Sequence, residues 1–303
     1  MITAARVVVA CCNPRPMAVT DVLLATCAEY GDLFPDDLPL VDELRERGLS
    51  VAPAVWDDRS VDWASAGLVV LRTVFDYVPR LDEFLAWIDR ISTVTTVHNP
   101  AHLVRWNSHK SYLRELETAG IPIIPTAWPA AGSSFHLAGL LDDRGWSDAV
   151  VKPAVGNGAR EAVRVSSPSL LREGQALVDR LLPARDLMIQ PFLAATEDPG
   201  EHALIHFDGA FSHAIRKDQM LAGRAFSMDR ISIVDPDPRE LALAQQVFEA
   251  IGGAPLYARV DTLIDGDVVR LMELEVIEPV LFFAKTPGSA ARFADAIGRR
   301  LAN

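Results

Sequence analysis

Cysteine is scarce in this chain: Cys11, Cys12 and Cys27 are the three among 303 residues, an odd set without metal-ligand spacing. That argues against a disulfide scaffold or a thiolate zinc site, and a reduced, cytoplasmic setting is expected. Positive charge is thin as well. Lys and Arg number 29 against 41 Asp and Glu, a formal net charge of −12. Such a balance disfavours wrapping nucleic acid or docking on anionic lipid. A protein this acidic that binds a polyanion must gather its few basic residues at that site, so each basic cluster is informative. Long apolar runs are missing too. The run 7–12 is too short for a membrane span, and Asn13-Pro14-Arg15-Pro16 follows it where a signal peptide would carry small residues. Residues 1–18 therefore read as an extension, and the chain shows neither repeats nor a low-complexity tract.

What is present is organised. A length of 303 residues predicts two or three domains, and 50% hydrophobic content is ample for buried cores. Strand-like runs at 21–27, 49–56, 67–71 and 94–98 alternate with helical patterns at 39–47 and 80–90, which predicts a doubly wound parallel sheet. A helix over 101–118 closes that unit. Short strands at 149–153, 161–165 and 187–192 around a helix at 168–182 predict a small α+β unit. Longer antiparallel strands follow at 201–207 and 210–217, then a loop-like stretch 218–237, a helix at 238–252, a hairpin and a terminal helix at 288–301. The predicted division is an extension 1–18, a substrate-side domain 19–100, a central lid domain 101–190 and a C-terminal domain 191–303.

The hairpin carries the chemistry. In Leu271-Met272-Glu273-Leu274-Glu275-Val276-Ile277-Glu278-Pro279, alternate side chains of a strand share a face, so Glu273 and Glu275 stand side by side among apolar neighbours. Crowded carboxylates at low dielectric repel, and one takes up a proton unless a cation lies between them. In the preceding strand Arg259 and Asp261 share a face, and Asp265-Gly266-Asp267 is turn chemistry. A two-residue turn pairing 264 with 267 throws Asp261 onto the face opposite Glu273. A three-residue turn pairing 264 with 268 sets Arg259 opposite Glu273 and Asp261 opposite Leu271, gathering all four on one surface. The odd count is expected. Three oxygen ligands, Asp261, Glu273 and Glu275, select Mg²⁺ or Mn²⁺ over zinc. An exposed acidic sheet face is the competing reading.

Other segments add possible ligand contacts. Lys152 runs into the turn Gly156-Asn157-Gly158, where glycine permits close backbone approach and N–H groups can meet phosphate oxygens. Lys110 begins a helical segment 42 positions earlier. Gln190-Pro191-Phe192-Leu193 is an apolar strand whose proline marks an edge or a crossover, and free backbone groups there can read a purine. Glu197 and Asp198 follow within reach of a ribose. Arg72, Asp76 and Tyr77 trail a central parallel strand, where ligands of such sheets bind. Arg72 suits a substrate carboxylate and Asp76 an amine, although a salt-bridged capping loop explains them equally well. Arg216 and Lys217 end a strand leading towards the acidic face. The seven histidines read as structural.

This ordered set, from Lys110 through Lys152 and its glycine turn to Arg259-x-Asp261 and Glu273-x-Glu275, resembles the ATP-grasp superfamily over residues 20–290. Val70-Leu71-Arg72-Thr73-Val74-Phe75-Asp76-Tyr77, Asn99-Pro100, Val104-Arg105-Trp106-Asn107 and the segment 206–214 resemble more closely a bacterial subgroup that includes the O-ureido-serine cyclo-ligase of cycloserine biosynthesis. The resemblance implies an N-terminal parallel-sheet domain, a lid and an antiparallel C-terminal domain. It assigns Lys110, Lys152, Gly156, Asn157 and Gly158 to the phosphates of ATP, Gln190 to Leu193 to adenine, and Glu197 or Asp198 to ribose. Asp261, Glu273 and Glu275 would hold metal, with Glu275 where many members carry Asn. Arg259 and Lys217 become catalytic cations, and Arg72, Asp76, Tyr77 and Arg216 substrate contacts. The implied reaction joins a small-molecule carboxylate to a nitrogen through an acyl phosphate, within one molecule or between two. A homodimer is the family habit. A small-molecule kinase and a nucleotide-binding regulator are the rival classes.

Overall fold

The computed structural model describes residues 20–158, 161–217 and 228–302. The expected extension 1–18 and most of the loop-like stretch, 218–227, lie outside the described residues.

Strands β1 (Thr20–Thr26), β2 (Val51–Val55), β3 (Ala66–Thr73) and β4 (Val97–His98) form a parallel sheet in the order β2-β1-β3-β4. The two central strands read as near-continuous apolar runs because both their faces are covered. Val22, Leu24 and Val70 pack with Leu40 and Leu44 of α1 (Leu38–Glu46). Leu23, Ala25 and Val69 meet Phe84, Trp87 and Ile88 of α2 (Leu81–Ile91) on the other side. Helices on both faces make this the doubly wound unit that the alternation predicts.

Residues 101–118 do not form one helix. They fold as α3 (Ala101–Asn107) and α4 (Tyr112–Thr118), separated by a four-residue elbow, residues 108–111. Its serines and His109 satisfy local polar groups: Ser108 Oγ donates to Arg105 O at 2.8 Å, and His109 Nδ1 pairs with Ser111 Oγ at 2.8 Å. Such local bonds compete with the helix ladder, which is why the apolar periodicity alone misreads this stretch. Both helices pack on the C-terminal sheet, where Tyr112, Leu113 and Leu116 share a core with Leu204, Val260 and Leu271.

A helix the periodicity missed, α5 (Leu137–Arg144), and the expected α6 (Pro168–Leu181) cover a three-stranded antiparallel sheet. Its strands are β5 (Ala149–Pro153), β6 (Val163–Val165) and β7 (Leu187–Pro191), in the order β6-β5-β7. Contrary to the edge reading, the outer side of β7 is not free: Ala127 N donates to Ile189 O at 2.8 Å and Ile189 N to Ala127 O at 2.9 Å, and Pro191 ends the strand beyond that bridge.

The third sheet is antiparallel, in the order β10-β9-β8-β11-β12: β8 (Glu201–Phe207), β9 (Ala210–Lys217), β10 (Ile231–Val234), β11 (Tyr257–Asp265) and β12 (Val268–Glu275). Strand β10 falls in a stretch read from sequence as loop. Helix α7 (Pro238–Ala250), capped by an Asp237–Glu240 box, covers one face. Helix α8 (Ser289–Ala302) covers the other, between this sheet and the parallel one. No described helix is long and apolar enough to cross a membrane.

The register of the last hairpin corrects the sequence reading. Asp265 pairs with Val268 across a two-residue turn, and Ile264 pairs with Val269, not Val268. Uninterrupted, that register would turn Asp261 away from Glu273. A one-residue bulge at Met272 shifts it instead. Beyond the bulge Asp261 lies opposite Glu273 and Arg259 opposite Glu275, rather than Leu271 and Glu273. A bulge puts two residues against one and so exchanges the faces of everything beyond it. The β8–β9 hairpin uses the same device. Phe207 pairs with Ala210, and a shift at Ser212 brings Lys217 opposite Glu201.

Candidate functional site

These two bulges converge on one surface. Glu201 (β8), Lys217 (β9), Arg259 and Asp261 (β11) and Glu273 and Glu275 (β12) share a face of the five-stranded sheet. One carboxylate oxygen from each of Asp261, Glu273 and Glu275 lies within 4.8 Å of the others, the one candidate metal cluster among the described residues. An all-carboxylate set at that spacing fits a hard divalent cation better than a soft one.

Protein cations already thread the cluster. Arg259 Nε donates to Asp261 Oδ1 at 2.8 Å, and its Nη2 donates to Asp261 Oδ2 at 2.9 Å and to Glu275. Lys217 Nζ donates to Asp261 Oδ2 at 2.6 Å and to Glu201. Lys110 Nζ donates to Glu273. The carboxylates therefore do not depend on a metal alone for neutralisation, as the crowding argument from sequence had it. Burial would push the Asp261 carboxyl up, but Arg259 and Lys217 hold it well below the usual range. Glu273 is held down against burial by Lys110 and Lys152. Glu275 is less well compensated: burial raises it to about 7 despite Arg259, and the charges of Glu273 and Asp261 add to the rise.

Lys152 differs from the other cations. It belongs to β5 and shares no hydrogen bond or ion pair with a side chain among the described residues, and burial lowers its ammonium despite Glu273 nearby. A desolvated cation without a partner is set to receive an anion. The glycine turn beside it reaches the N-terminal unit and the end of β12: Asn157 Nδ2 donates to Phe75 O at 3.1 Å, and Asn157 partly offsets the burial that raises the Glu278 carboxyl. Gly158 takes φ +61°, a conformation that a side chain would strain. Arg185 Nη2 anchors the turn's start through Val155 O at 3.0 Å.

On β7, Gln190 Nε2 donates to Thr126 Oγ1 at 2.9 Å. Phe192 lies under the Arg164 guanidinium, 3.4 Å from its ring centroid, and Leu193 is half-buried beside it. Arg164 Nη1 also holds Glu197 at 2.9 Å, while exposed Asp198 has no such partner among the described residues. Arg164 thus links Glu197 to Phe192.

The predicted substrate residues separate. Tyr77 is buried against Phe84, and its hydroxyl is raised well above the usual value, first by burial and then by the charges of Glu278, Glu275 and Glu273. Arg72 is committed elsewhere. Its Nε and Nη2 donate to Asp37 Oδ1 at 2.9 and 2.8 Å, and Nη2 donates to Pro279 O at 2.9 Å. The salt-bridged loop set beside the carboxylate-clamp reading is what the structure shows at Arg72, with Nη1 left unpartnered. Asp76 accepts from Trp56 Nε1 at 2.8 Å and Arg80 Nη1 at 3.2 Å. Arg216 is a correction. The shift at Ser212 places Lys217 on the acidic face, so Arg216 points to the other, exposed side against Gly200.

Sequence reasoning missed two members. Glu201 pairs with Lys217, and burial raises its carboxyl. Glu278, just past β12, is pushed up to about 8 by burial and then by Glu275. Both lay in quoted stretches, but neither follows from the strand alternation that found Glu273 and Glu275.

Comparison with known proteins agrees with this geometry. The family described as D-cycloserine synthetase DcsG, N-terminal domain, matches residues 22–99. The cycloserine biosynthesis protein DcsG of Streptomyces lavendulae is 33% identical over 285 residues, 87% of this chain and 93% of that protein. The crystal structure of D-cycloserine synthetase DcsG is similar with a TM-score of 0.85 at 32% identity, covering 92% of this chain and 99% of the other. The ATP-grasp ligase PsnB, solved with its minimal precursor, Mg and ADP, shares the fold at 15% identity, with a TM-score of 0.63 over 93% and 98% of the two chains.

Proposed function

The chain belongs to the DcsG family of ATP-grasp ligases, and we propose from that premise that it activates a small carboxylate with ATP and closes it onto a nitrogen of the same molecule. The single observation that carries the reading is Lys152, which has no side-chain partner among the described residues yet lies near Glu273 of the Asp261, Glu273 and Glu275 cluster. A cation awaiting an anion beside carboxylates spaced for a divalent ion fits a metal–polyphosphate substrate.

In this reading Asp261, Glu273 and Glu275 hold Mg²⁺ or Mn²⁺, which supplies charge neutralisation at the phosphates. Lys152 and Lys110 spread the negative charge of the transferring phosphoryl group, and the turn at Gly156, Asn157 and Gly158 excludes water from it. Gln190, Pro191, Phe192 and Leu193 line the base, and Glu197 or Asp198 takes the ribose. The substrate carboxylate attacks the γ-phosphorus and ADP leaves. Arg259, aided by Lys217, stabilises the oxyanion that forms when nitrogen attacks the acyl phosphate. Phosphate then departs. Tyr77 lies where it can orient the substrate. Asp76 is carried as a weaker substrate contact, and Arg72 as the residue that fixes the crevice wall through Asp37.

The kinship with DcsG makes O-ureido-serine the first substrate to try: its O–NH nitrogen displaces phosphate to become the ring nitrogen of cycloserine, and the carbamoyl group on that nitrogen leaves by hydrolysis as CO2 and NH3. A cytoplasmic, homodimeric enzyme belongs to the same proposal, and sedimentation velocity checks the dimer. The deciding experiment incubates the protein with ATP, Mg²⁺ and O-ureido-serine, following ADP and product mass. Stoichiometric ADP and ring product support the cyclo-ligase. ADP only when a separate amine is added makes it an intermolecular ligase. A stable phosphorylated substrate makes it a kinase and sinks the proposal.

A further inference from the structure

Strand β12 carries two of the three clustered carboxylates, yet it is the last strand of its sheet: beyond β11 its only backbone neighbour among the described residues is a single parallel bridge, Ile123 to Leu271, upstream of both glutamates. An edge strand leaves a row of N–H and C=O groups unpaired. Here Leu271 N donates to Pro122 O at 2.8 Å, and beyond it side chains take over. Tyr112 Oη donates to Leu274 O at 3.0 Å and accepts from Leu274 N at 2.9 Å. Asn107 Nδ2 donates to Leu274 O at 2.7 Å, while its Oδ1 accepts from Val276 N at 3.2 Å. Leu274 stands between Glu273 and Glu275, so the clamp grips the peptide units joining the two carboxylate-bearing residues. One position upstream is the bulge at Met272, where a slip would exchange the faces of everything beyond it.

The clamp residues flank the elbow between α3 and α4, and the elbow touches two more parts of the site. Lys110 Nζ donates to Glu273, and Lys110 N donates at 2.8 Å to Ala154 O, just beyond the strand that bears Lys152. We infer that Asn107 and Tyr112 are positioning residues, holding Glu273 and Glu275 at metal-binding separation from the strand's outer edge. The inference rests on the proposed metal-ligand assignment of Asp261, Glu273 and Glu275.

The test is Mn²⁺ binding to the nucleotide-free full-length protein, followed by electron paramagnetic resonance, with thermal unfolding recorded in parallel. Tyr112→Phe keeps the ring and removes both bonds to Leu274, and Asn107→Ala serves as the second variant should the first fold poorly. Tyr257→Phe is the structural control. Its hydroxyl is equally buried and bridges two carbonyls, Leu71 O and Ile277 O, both at 2.8 Å, away from Leu274. Partners that orient metal ligands are typically worth about 10- to 100-fold in affinity. Tyr112→Phe is therefore expected to weaken Mn²⁺ binding by about tenfold or more, with Tyr257→Phe within about twofold of the parent even where it unfolds earlier. Parent-like Mn²⁺ affinity in both clamp variants overturns the inference, and so does equal weakening in Tyr257→Phe. A Glu273→Gln, Glu275→Gln double variant that still binds Mn²⁺ as the parent does removes the ligand assignment itself, and the inference with it.

Discussion

Deleting Met272 removes the residue that puts Asp261 and Glu273 on one face. Without the bulge the two halves of β12 must share a single alternation. If the C-terminal half keeps its place, Val269 and Leu271 turn out of the core they share with α7; if the N-terminal half does, Leu274 and Val276 leave it instead. These four are 8%, 0%, 1% and 0% exposed. Either way two buried aliphatic side chains are lost from the core, at roughly 1.5–3 kcal/mol each, or about 3–6 kcal/mol together. Against a typical total of about 5–15 kcal/mol, that is a large share of the stability. Urea unfolding followed by tryptophan fluorescence measures it, alongside Mg²⁺-dependent ADP formation. Met272→Ala is the control, because it keeps the residue count and is expected to cost under about 2 kcal/mol at this half-buried position. A deletion variant that unfolds within about 1 kcal/mol of the parent, or keeps its ADP formation, would show that the register is set elsewhere.

Lys152→Met removes a desolvated, unpartnered cation, so the nucleotide-free protein should unfold no earlier than the parent while kcat/KM for ATP falls by about 100-fold; equal losses in both would make Lys152 structural. Lys217→Ala leaves Asp261 and Glu201 short of a buried partner and should cost about 3–5 kcal/mol in urea unfolding, whereas exposed Arg216→Ala should stay within about 0.5 kcal/mol; similar values for the two would contradict the face assignment. Glu278 binds its proton more tightly folded, with a pKa of about 8, than unfolded, near 4.5. Its ionisation therefore lowers stability as pH climbs from about 4.5 to about 8, and metal-free unfolding of Glu278→Gln at pH 5, 6.5 and 8 should show a flatter decline than the parent.

The strands that carry the site were legible, but the way they meet was only half so. Along β12 and the residue just past it, the buried apolar positions are odd before Met272 (Val269, Leu271) and even after it (Leu274, Val276). That change of parity is the sequence signature of a bulge, whereas the reading from sequence sought the same outcome in turn length. Lysine offered a second signal. Lys110, Lys152, Lys217 and Lys285 are the chain's four lysines, and the first three converge on the acidic face. The choice of Lys217 over Arg216 was illegible, since it turns on one extra residue at Ser212 that no propensity marks. The clamp was illegible for another reason: Asn107 and Tyr112 meet Leu274 across 167 and 162 positions of chain. Nothing local to either residue announces such a contact.

In the proposed reading, the charges at the site also favour nucleotide and metal together over either alone. Asp261, Glu273, Glu275, Glu201 and Glu278 face Lys110, Lys152, Lys217 and Arg259, so the cluster is close to balanced without any ligand. The imbalance is local. Glu275 and Glu278 are pushed up to about 7 and about 8, which marks where an added positive charge gains most. Lys152, lowered by burial, marks where an added negative charge gains most. A divalent ion alone would relieve the first and intensify the second, and a free polyphosphate would do the reverse. A metal–nucleotide pair relieves both at once. Affinity for ATP should therefore fall sharply when Mg²⁺ is chelated, and Lys152→Met should weaken that dependence by removing one pole of the imbalance. Equal ATP affinity with and without Mg²⁺, measured by calorimetry, would break this account of the site.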